Sequence, residues 1–375
     1  MDTVSTAIGG ALLAKALPAE KRGPSGVGCV ALASALPDAD MFAELFVNDP
    51  LGTLTQHRAF THSILGAVVM APLIALVYWR YGKDKDYRRL LGLALLGLGW
   101  HMFTDLATSW GTMVFYPFNR DRVVWDLLFI IDFIFSFILL APQLLAWVYR
   151  ERGRALRRGS LIWAAMAAFS ALVVNLVSMF LARDFNWRVF GVLAALGATI
   201  VLLPALGGWG FRHESSAFCR WGVAALASYI AVCSVAHFFA LRRVEQMAKE
   251  RGLEAQALAA LPQPLSPLRW SGLVLAPEGV YQGFLNVLDG ERLRFQFFPT
   301  EENGYVARAR KLPEVQTYLW FARFPVARYR QEFGRHIVDY ADVRFRGPVG
   351  RDTSFVFRVV FDARGELISS SFVNP

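Results

Sequence analysis

The sequence predicts a mainly α fold: a polytopic bundle of transmembrane helices followed by a small, β-rich soluble domain at the C-terminus. Of the 375 residues, 55% are hydrophobic and 18% are charged, whereas globular domains carry about 25% charged residues. Six apolar runs approach the length of about 20 residues that crosses a bilayer. Beyond residue 267, short stretches of alternating polarity separated by glycine and proline are typical of strands.

The apolar runs follow one another through the first two thirds of the chain. Two short runs at the start, Val4–Leu17 and Gly26–Leu36, are as consistent with tilted or re-entrant helices as with full spans. The six longer candidates are Ile64–Tyr81, Leu90–Thr108, Val123–Tyr149, Leu161–Leu181, Val189–Leu206 and Trp221–Leu241. Together these runs predict a bundle of about seven or eight helices.

Basic residues are unevenly divided between the segments that join these runs. There are 14 Lys and Arg in Lys21–Arg22, Arg80–Arg89, Arg150–Arg158 and Arg212–Arg220, against five in Pro37–Phe60, Ser109–Arg122 and Arg183–Arg188. The positive-inside rule places the first group in the cytoplasm and the second in the periplasm of a bacterium, at its inner membrane. The net charge of +9 then reflects loop bias, and no nucleic-acid partner is expected.

The character of the chain changes after the last run, which divides it into three parts. Residues 1–241 form the helical part, 242–267 an amphipathic helix and linker, and 268–375 the β-rich domain. The expected helix is Glu245–Leu261, and the expected strands include Arg292–Phe298, Asp342–Arg346 and Thr353–Phe361. Counting spans puts this domain in the periplasm, although Arg242 and Arg243 favour the opposite side.

Polar residues that are unsuited to lipid are concentrated at the ends of the early runs. They are Asp38 and Asp40 in "PDAD", His57 and His62 in "HRAFTHS", His101 and Asp105 in "WHMFTD", and Asp126 and Asp132 further on. With alternating spans, these run ends fall on the same, periplasmic side of the membrane. Ionisable groups at such depth usually pair or bind an ion, so we expect them to converge in one pocket.

The residue types in this pocket predict a metal site. His101 and Asp105 are four residues apart and share one helix face. Mixed imidazole and carboxylate ligands suit zinc, manganese or iron better than calcium. Each motif also has a structural alternative: Asp105 can hold His101 in one tautomer, and "PDAD" can form a turn.

Further residues near the pocket are candidates for supporting roles. Arg58 and Asp126 are the candidate catalytic groups, with Arg58 steadying an anionic oxygen. Thr61, Asp132 and Arg122 are expected to contact the ligands. Alternatives remain open, since Arg58 and Arg122 can bind a phosphate or neutralise carboxylates, and Asp132 can be a helix-packing residue.

In this order, "MDTVSTAIGGALLA", "LPDADMF", "HRAFTHS" and "WHMFTDLATSWGTMVFYPFNRDRVVWDLLFIIDFIFS" resemble the membrane-bound metal-dependent hydrolase family. That family is also described as LexA-binding, inner-membrane-associated hydrolases. The resemblance covers roughly residues 1 to 140. The combination of HRxFTHS with PDxD upstream and HxxxDxxTxxGTxxxxPF downstream is specific.

The resemblance implies a multi-span protein of the bacterial inner membrane with a metal site. At the matching positions, the implied ligands are Asp38, Asp40, His57, His62, His101 and Asp105. Asp132 falls in a segment similar to the family's "IIDP", but Phe133 replaces the proline. Ser5 and Thr6 stand where many members have His or Gln.

The leading hypothesis is a metal-dependent hydrolase at the periplasmic face, acting on a lipid or other amphiphilic ester or phosphoester. It would bind one or two divalent ions, with zinc preferred and manganese as the alternative, and a bound metal lowers the pKa of water from about 15.7 to about 7. The alternatives are a metal-handling transporter and a non-catalytic membrane scaffold with a structural metal. A closed tetrahedral site favours the structural metal, whereas an open coordination position favours the enzyme. Membrane lipids are the expected partners.

Overall fold

The computed structural model describes residues 1–44, 51–181, 187–206, 208–211, 214–264, 266–289, 294–346 and 355–373. Within these ranges the chain is mostly helical up to Glu250 and mostly β from Ala257 onwards. The helices are α1 Thr3–Ala16, α2 Ala19–Arg22, α3 Gly26–Ala35, α4 Asp40–Glu44, α5 Gly52–Thr55, α6 Ile64–Tyr81, α7 Tyr87–Leu106, α8 Phe133–Val148, α9 Ala155–Leu181, α10 Trp187–Leu206, α11 Ser215–Glu250, α12 Gly304–Ala309 and α13 Pro313–Phe321. The strands are β1 Ala257–Gln263, β2 Ser266–Ala276, β3 Gly279–Asn286, β4 Phe295–Pro299, β5 Pro325–Glu332, β6 Arg335–Asp342, β7 Val356–Phe361 and β8 Leu367–Val373.

Two of the described helices, α6 and α11, are long and apolar enough to cross a membrane. The helix α8 and the first part of α9 meet the same criteria only as a pair that is bent by 112°. The described residues therefore contain two spans, or three if the bent pair counts as one. This is fewer than the seven or eight that the apolar runs predict.

The predicted span Val123–Tyr149 begins ten residues later than expected, because α8 starts at Phe133. The carboxylate of Asp132 accepts hydrogen bonds from the backbone amides of Ile134 and Phe135, and thereby caps the helix. Asp126 has a φ of +55°, which a helix does not allow. The prediction that Asp126 lies at the start of this helix is therefore wrong, and Asp132 occupies that position instead.

Small residues let α1, α3 and α7 approach one another closely. A Cβ atom at Gly10 of α1 would lie 2.1 Å from Ser34 Oγ of α3, and one at Gly97 of α7 would lie 2.6 Å from the Cβ of Ala33. Such contacts between small residues are a common way for helices to pack in membranes. They bring the end of α3 against the second half of α7, which is where most of the candidate metal ligands lie.

The C-terminal part consists of two antiparallel four-stranded sheets, with strand orders β1-β2-β3-β4 and β5-β6-β7-β8. The helix α11 ends at Glu250 and β1 begins at Ala257. Of the expected helix Glu245–Leu261, only residues 245–250 are therefore helical, and they form the end of α11. Pro262 lies in β1, which is an edge strand, and Pro267 lies near the start of β2. Proline is tolerated at both kinds of position, so the expected linker contains β1 and the start of β2.

The structure bears on each of the three predicted strands. The stretch Arg292–Phe298 overlaps β4 and Thr353–Phe361 overlaps β7, although residues 290–293 and 347–354 lie outside the described ranges. The prediction of a strand at Asp342–Arg346 is wrong, because β6 ends at Asp342 and a 3-10 turn follows. The carboxylate of Asp342 accepts from the backbone amide of Arg344 and so caps that turn.

The second sheet packs against loops of the helical part. Leu51 and Leu54, in and beside α5, belong to the same buried cluster as Tyr318 and Phe357. Trp110, which follows α7, packs against this cluster, and its ring centroid lies 5.0 Å from that of Phe321. The β-rich part is therefore in direct contact with the loops that carry the candidate site.

Candidate metal centre

Four side chains from three segments converge in the interior of the helical part, and we call them the four-donor group: Asp38, His62, His101 and Asp105. Asp38 lies in a 3-10 turn after α3, and His62 ends a 3-10 turn before α6. His101 and Asp105 lie one turn apart on α7, as their spacing predicts. His62, His101 and Asp105 are completely buried, and Asp38 is 6% exposed, so the group is shielded from bulk solvent.

The separations of the donor atoms match those of a metal site. Asp38 Oδ1 lies 3.2 Å from His62 Nε2 and 3.5 Å from His101 Nε2. Asp105 Oδ2 lies 3.3 Å from His62 Nε2 and 3.4 Å from His101 Nε2. In a tetrahedral zinc site with ligands about 2.0–2.1 Å from the metal, neighbouring ligand atoms are about 3.3 Å apart. One ion can therefore contact all four atoms.

Two of these atoms, His101 Nε2 and Asp105 Oδ2, are buried without a hydrogen-bond partner among the described residues. His101 Nδ1 lies 2.6 Å from the carbonyl oxygen of Ser34. Because a carbonyl can only accept, Nδ1 carries a proton, and in the neutral ring Nε2 presents its lone pair to the group. Buried polar atoms are nearly always paired in native proteins, and a cation would supply the missing partner.

The outer oxygens of both carboxylates are held by other groups. Thr3 Oγ1 donates to Asp38 Oδ2 at 2.6 Å. Asp105 Oδ1 accepts from the amino group of Met1 at 2.5 Å and lies 3.1 Å from Arg58 Nη2. These contacts fix the two carboxylates so that their remaining oxygens face the histidines, which is the role of supporting hydrogen bonds around metal ligands.

The second nitrogen of His62 faces another set of side chains. Thr61 Oγ1 donates to Asp40 Oδ2 at 2.9 Å and lies 2.9 Å from His62 Nδ1. His57 Nδ1 lies 2.9 Å from Asp40 Oδ1. Asp40, His57 and His62 form a second group whose potential ligand atoms lie within 4.8 Å of one another. The six residues expected to bind metal thus form two groups that share His62 through opposite ring nitrogens.

The charges around His62 decide its protonation in the metal-free protein. Burial lowers the pKa of His62, but its hydrogen bonds to Asp38 and Asp40 outweigh this effect and raise the pKa to about 9. Burial likewise raises the pKa of Asp40, but His57 and His62 hold it well below its usual range. A proton on His62 therefore balances the carboxylates, and a metal ion must displace it on binding.

Arg58 is buried beside the four-donor group and is only 2% exposed. Its Nη1 donates to Thr108 Oγ1 at 3.1 Å, while Nη2 faces Asp105. Its φ of +63° is rare for a residue other than glycine and lets the neighbouring side chains of His57 and Arg58 reach different carboxylates. This geometry matches the alternative in which Arg58 neutralises a carboxylate.

Three other candidates lie apart from the four-donor group in the part of the chain that the structure describes. Both carboxylate oxygens of Asp126 accept from Arg323, at 2.8 Å each. Asp132 caps α8 and accepts from the hydroxyl of Tyr229 at 2.7 Å. Arg122 donates to backbone carbonyls. These contacts are structural and give no support to Asp126 as a catalytic group.

Sequence reasoning missed several supporting groups. The hydroxyl of Thr3 and the carbonyl of Ser34 contact ligand side chains, as does the amino group of Met1. A backbone carbonyl leaves no trace in the sequence. For Thr3, the available signal was a polar residue in the apolar N-terminal segment, which is weak without knowledge of how α1 packs.

An open cavity of about 460 Å³ borders the second group. Its lining residues are Asp40, Thr55, Gln56, Ala59, Phe60, Thr61, Tyr116 and Arg120. Asp40 and Thr61 therefore face the cavity on one side and His62 on the other. A small molecule in this cavity would lie next to the side chains that orient His62.

Comparison with known proteins supports a membrane location. The model of the YdjM inner membrane protein family matches residues 1–182, which include the whole four-donor group. The chain is also similar to the uncharacterized protein YfhP of Bacillus subtilis (strain 168), with 30% identity over 103 residues.

The alignment with YfhP covers 27% of this chain and 31% of that protein, so it spans about a third of the relative's length. No solved structure matches the chain. The apolar helices and the family match together indicate a membrane protein, similar in its N-terminal half to the YdjM inner membrane proteins, with a buried Asp and His cluster that can hold a metal ion.

Proposed function

We propose that this protein is a metal-dependent hydrolase of the bacterial inner membrane, with one divalent metal in the four-donor group. Zinc is the preferred ion, and manganese is the alternative. The proposed substrate is a lipid or other amphiphilic ester or phosphoester. The observation that carries the proposal is that His101 Nε2 and Asp105 Oδ2 are buried 3.4 Å apart and that neither atom has a hydrogen-bond partner among the described residues.

The proposed topology is a multi-pass helical part, residues 1–241, with the β-rich part, residues 268–375, on the periplasmic side. The distribution of Lys and Arg supports this orientation. The contacts of Trp110 and Leu54 with the second sheet support a common side for the β-rich part and the metal centre.

When bound, the metal would act as a Lewis acid and would activate water at neutral pH. The protein's own residues would hold the ligands in place. Thr61 and Asp40 hold the Nδ1 proton of His62, so that a metal at Nε2 would have to displace only the proton on that nitrogen. Arg58 offsets part of the negative charge of Asp105. The cavity beside Asp40 and Thr61 would admit the polar end of the substrate, and Arg120 in its wall would attract an anionic group.

A second candidate function is a structural metal in a non-catalytic membrane scaffold. It is favoured by the burial of all four donors, since structural zinc sites are closed and four-coordinate. The shielding of the group from solvent would then protect the metal rather than prepare a reaction.

The first experiment tests the metal. Detergent-purified wild type, His62→Ala and His336→Ala are exposed to zinc or manganese, desalted, and measured for metal content by mass spectrometry. We expect about one ion per chain in the wild type and in His336→Ala, which changes a buried histidine of the β-rich part. His62→Ala should bind none. Equal and negligible metal in all three proteins would contradict the proposed site.

The second experiment separates the enzyme from the scaffold. The metal-loaded wild type is incubated with bacterial membrane lipid extract, and the products are followed by mass spectrometry with and without a chelator. The hydrolase predicts products that disappear with the chelator and in His62→Ala. A protein that binds one metal and is stabilised by it, but releases no product, would instead support the structural role.

A further inference from the structure

The guanidinium of Arg122 holds the loop that leads into the metal centre. It donates to the backbone carbonyls of Gly111 at 2.9 Å, of Leu54, and of His57 at 3.4 Å. It thereby ties the segment before His62 to the loop that follows α7. The same segment is held once more by its backbone, because the amide of Met113 donates to the carbonyl of Arg58 at 3.0 Å.

Arg122 itself contacts aromatic side chains of the β-rich part. Its guanidinium carbon lies 5.2 Å from the ring centroid of Trp320 and 5.1 Å from that of Phe321, both on α13. Cation–π contacts of this kind strengthen when the cation is desolvated. No carboxylate of the described residues pairs with Arg122, so the aromatic rings and the carbonyls are what stabilise this half-buried cation.

Two further contacts join the β-rich part to the loop after α7. Arg344 Nη1 donates to the carbonyl of Ser109 at 2.9 Å. Arg323 forms a bidentate ion pair with Asp126, in which Nη1 and Nη2 each donate to one carboxylate oxygen. The loop after α7 is thus anchored at Ser109, at Arg122 and at Asp126 by the β-rich part. The loop in turn anchors the segment that carries His57 and Arg58.

We infer that the β-rich part positions the metal centre. Arg122 and Trp320 are the positioning residues, because Trp320 contacts Arg122 and Arg122 donates to the backbone of the His57–His62 segment. The inference rests on the proposed metal site and deepens it. The C-terminal part is then a required component of the metal centre rather than an independent partner-binding module. Loss of the contacts of Arg122 would let His62 and Arg58 shift. Mutation of residues that support metal ligands typically lowers metal affinity 10- to 100-fold.

The test is a Co²⁺ titration of the full-length protein in detergent, followed by visible absorption. Arg122→Lys keeps the charge but loses the planar fork and much of the stacking, and Trp320→Leu removes a ring. Trp320→Phe keeps an aromatic ring at this position and should therefore bind Co²⁺ as the wild type does. Arg358→Lys is the matched control, because it is the same exchange at an arginine that pairs with Asp339 within the second sheet.

We expect Arg122→Lys and Trp320→Leu to bind Co²⁺ about 10- to 100-fold more weakly, with an altered absorption spectrum. Arg358→Lys and Trp320→Phe should match the wild type. The thermal unfolding of each variant is recorded alongside, and Arg122→Lys should unfold within a few degrees of Arg358→Lys. Wild-type affinity and spectrum in both Arg122→Lys and Trp320→Leu would overturn the inference while leaving the metal site intact. Failure of the wild type itself to bind Co²⁺ would overturn the proposed site and this inference with it.

Discussion

The helical part and the β-rich part both bury charged side chains, but they satisfy them differently. In the β-rich part, the carboxylate of Asp342 accepts from Arg344 Nε at 2.8 Å and from the backbone amides of Arg323 and Phe324. In the described residues, every buried side-chain atom without a partner lies between residues 58 and 122. These atoms are Arg58 Nε, His101 Nε2, Asp105 Oδ2, Ser109 Oγ, Trp110 Nε1, Thr112 Oγ1 and Arg122 Nε.

This difference teaches which buried charges are structural and which are kept for a ligand. An unpaired buried polar atom costs about 1–3 kcal/mol, and two of the seven, His101 Nε2 and Asp105 Oδ2, lie in the four-donor group. The network around Asp342 is complete and needs nothing further. The network around His101 and Asp105 is incomplete, and an ion would complete it.

The largest expected effect is that of Asp342→Ala. The substitution leaves the guanidinium of Arg344, which is 8% exposed, without its carboxylate. Breaking a buried ion pair typically costs about 3–5 kcal/mol, and we expect the free energy of unfolding to fall by that amount whether or not zinc is present. Chemical denaturation in detergent measures this value. A loss below about 1 kcal/mol would contradict the distinction between the two networks.

The next effect concerns the incomplete network. At a zinc concentration 100-fold above its dissociation constant, a bound ion stabilises the folded wild type by about 2.7 kcal/mol. His101→Ala should lose this gain, because it removes one of the four donors. The measurement is the shift in unfolding temperature on addition of zinc, with His336→Ala as the control. An unchanged zinc shift in His101→Ala would remove the metal as the explanation for the unpaired atoms.

The smallest effect is that of Asp339→Asn, which tests a complete but less buried pair. Burial raises the pKa of Asp339, but hydrogen bonds from Arg358 and Arg330 outweigh burial and lower it. Since the folded-state pKa is below the unfolded value of about 3.9, the carboxylate stabilises the fold above that pH. The gain is lost as the pH falls through the folded-state pKa.

We therefore expect Asp339→Asn to be about 1–2 kcal/mol less stable than the wild type at pH 7. The difference should shrink below pH 4. Urea denaturation at several pH values gives this comparison. A difference that stays constant down to pH 3 would show that the ion pair is not its source.

Much of the candidate metal centre could be predicted from the sequence, because the residues that could bind the ion lie in recognisable motifs at the ends of apolar runs. The spacing of His101 and Asp105 placed both on one helix face, and the structure agrees. The division of labour between Asp38 and Asp40 could not be predicted. Asp38 lies in a 3-10 turn and Asp40 at the start of α4, so the two carboxylates reach opposite nitrogens of His62.

The supporting residues were harder to predict, since each depends on a contact across a long stretch of chain. Arg122 and Trp320 are 198 positions apart in the sequence, and only the packing of α13 on the loop after α7 brings them together. Asp126 was expected near the site because it was assigned to a helix end. Its carboxylate instead pairs with Arg323 of the β-rich part.

By itself, the sequence determined that this is an apolar, helix-rich chain with a β-rich end and with histidines and aspartates in a pattern suited to a metal. Composition and periodicity report local preferences and burial, and these were sufficient for that much. Tertiary structure alone decided which potential metal ligands lie together and which charged side chains pair elsewhere. It also decided that the β-rich part contacts the loops beside the candidate site. Those outcomes depend on how helices and sheets pack, because a contact between distant segments has no local signature in the chain.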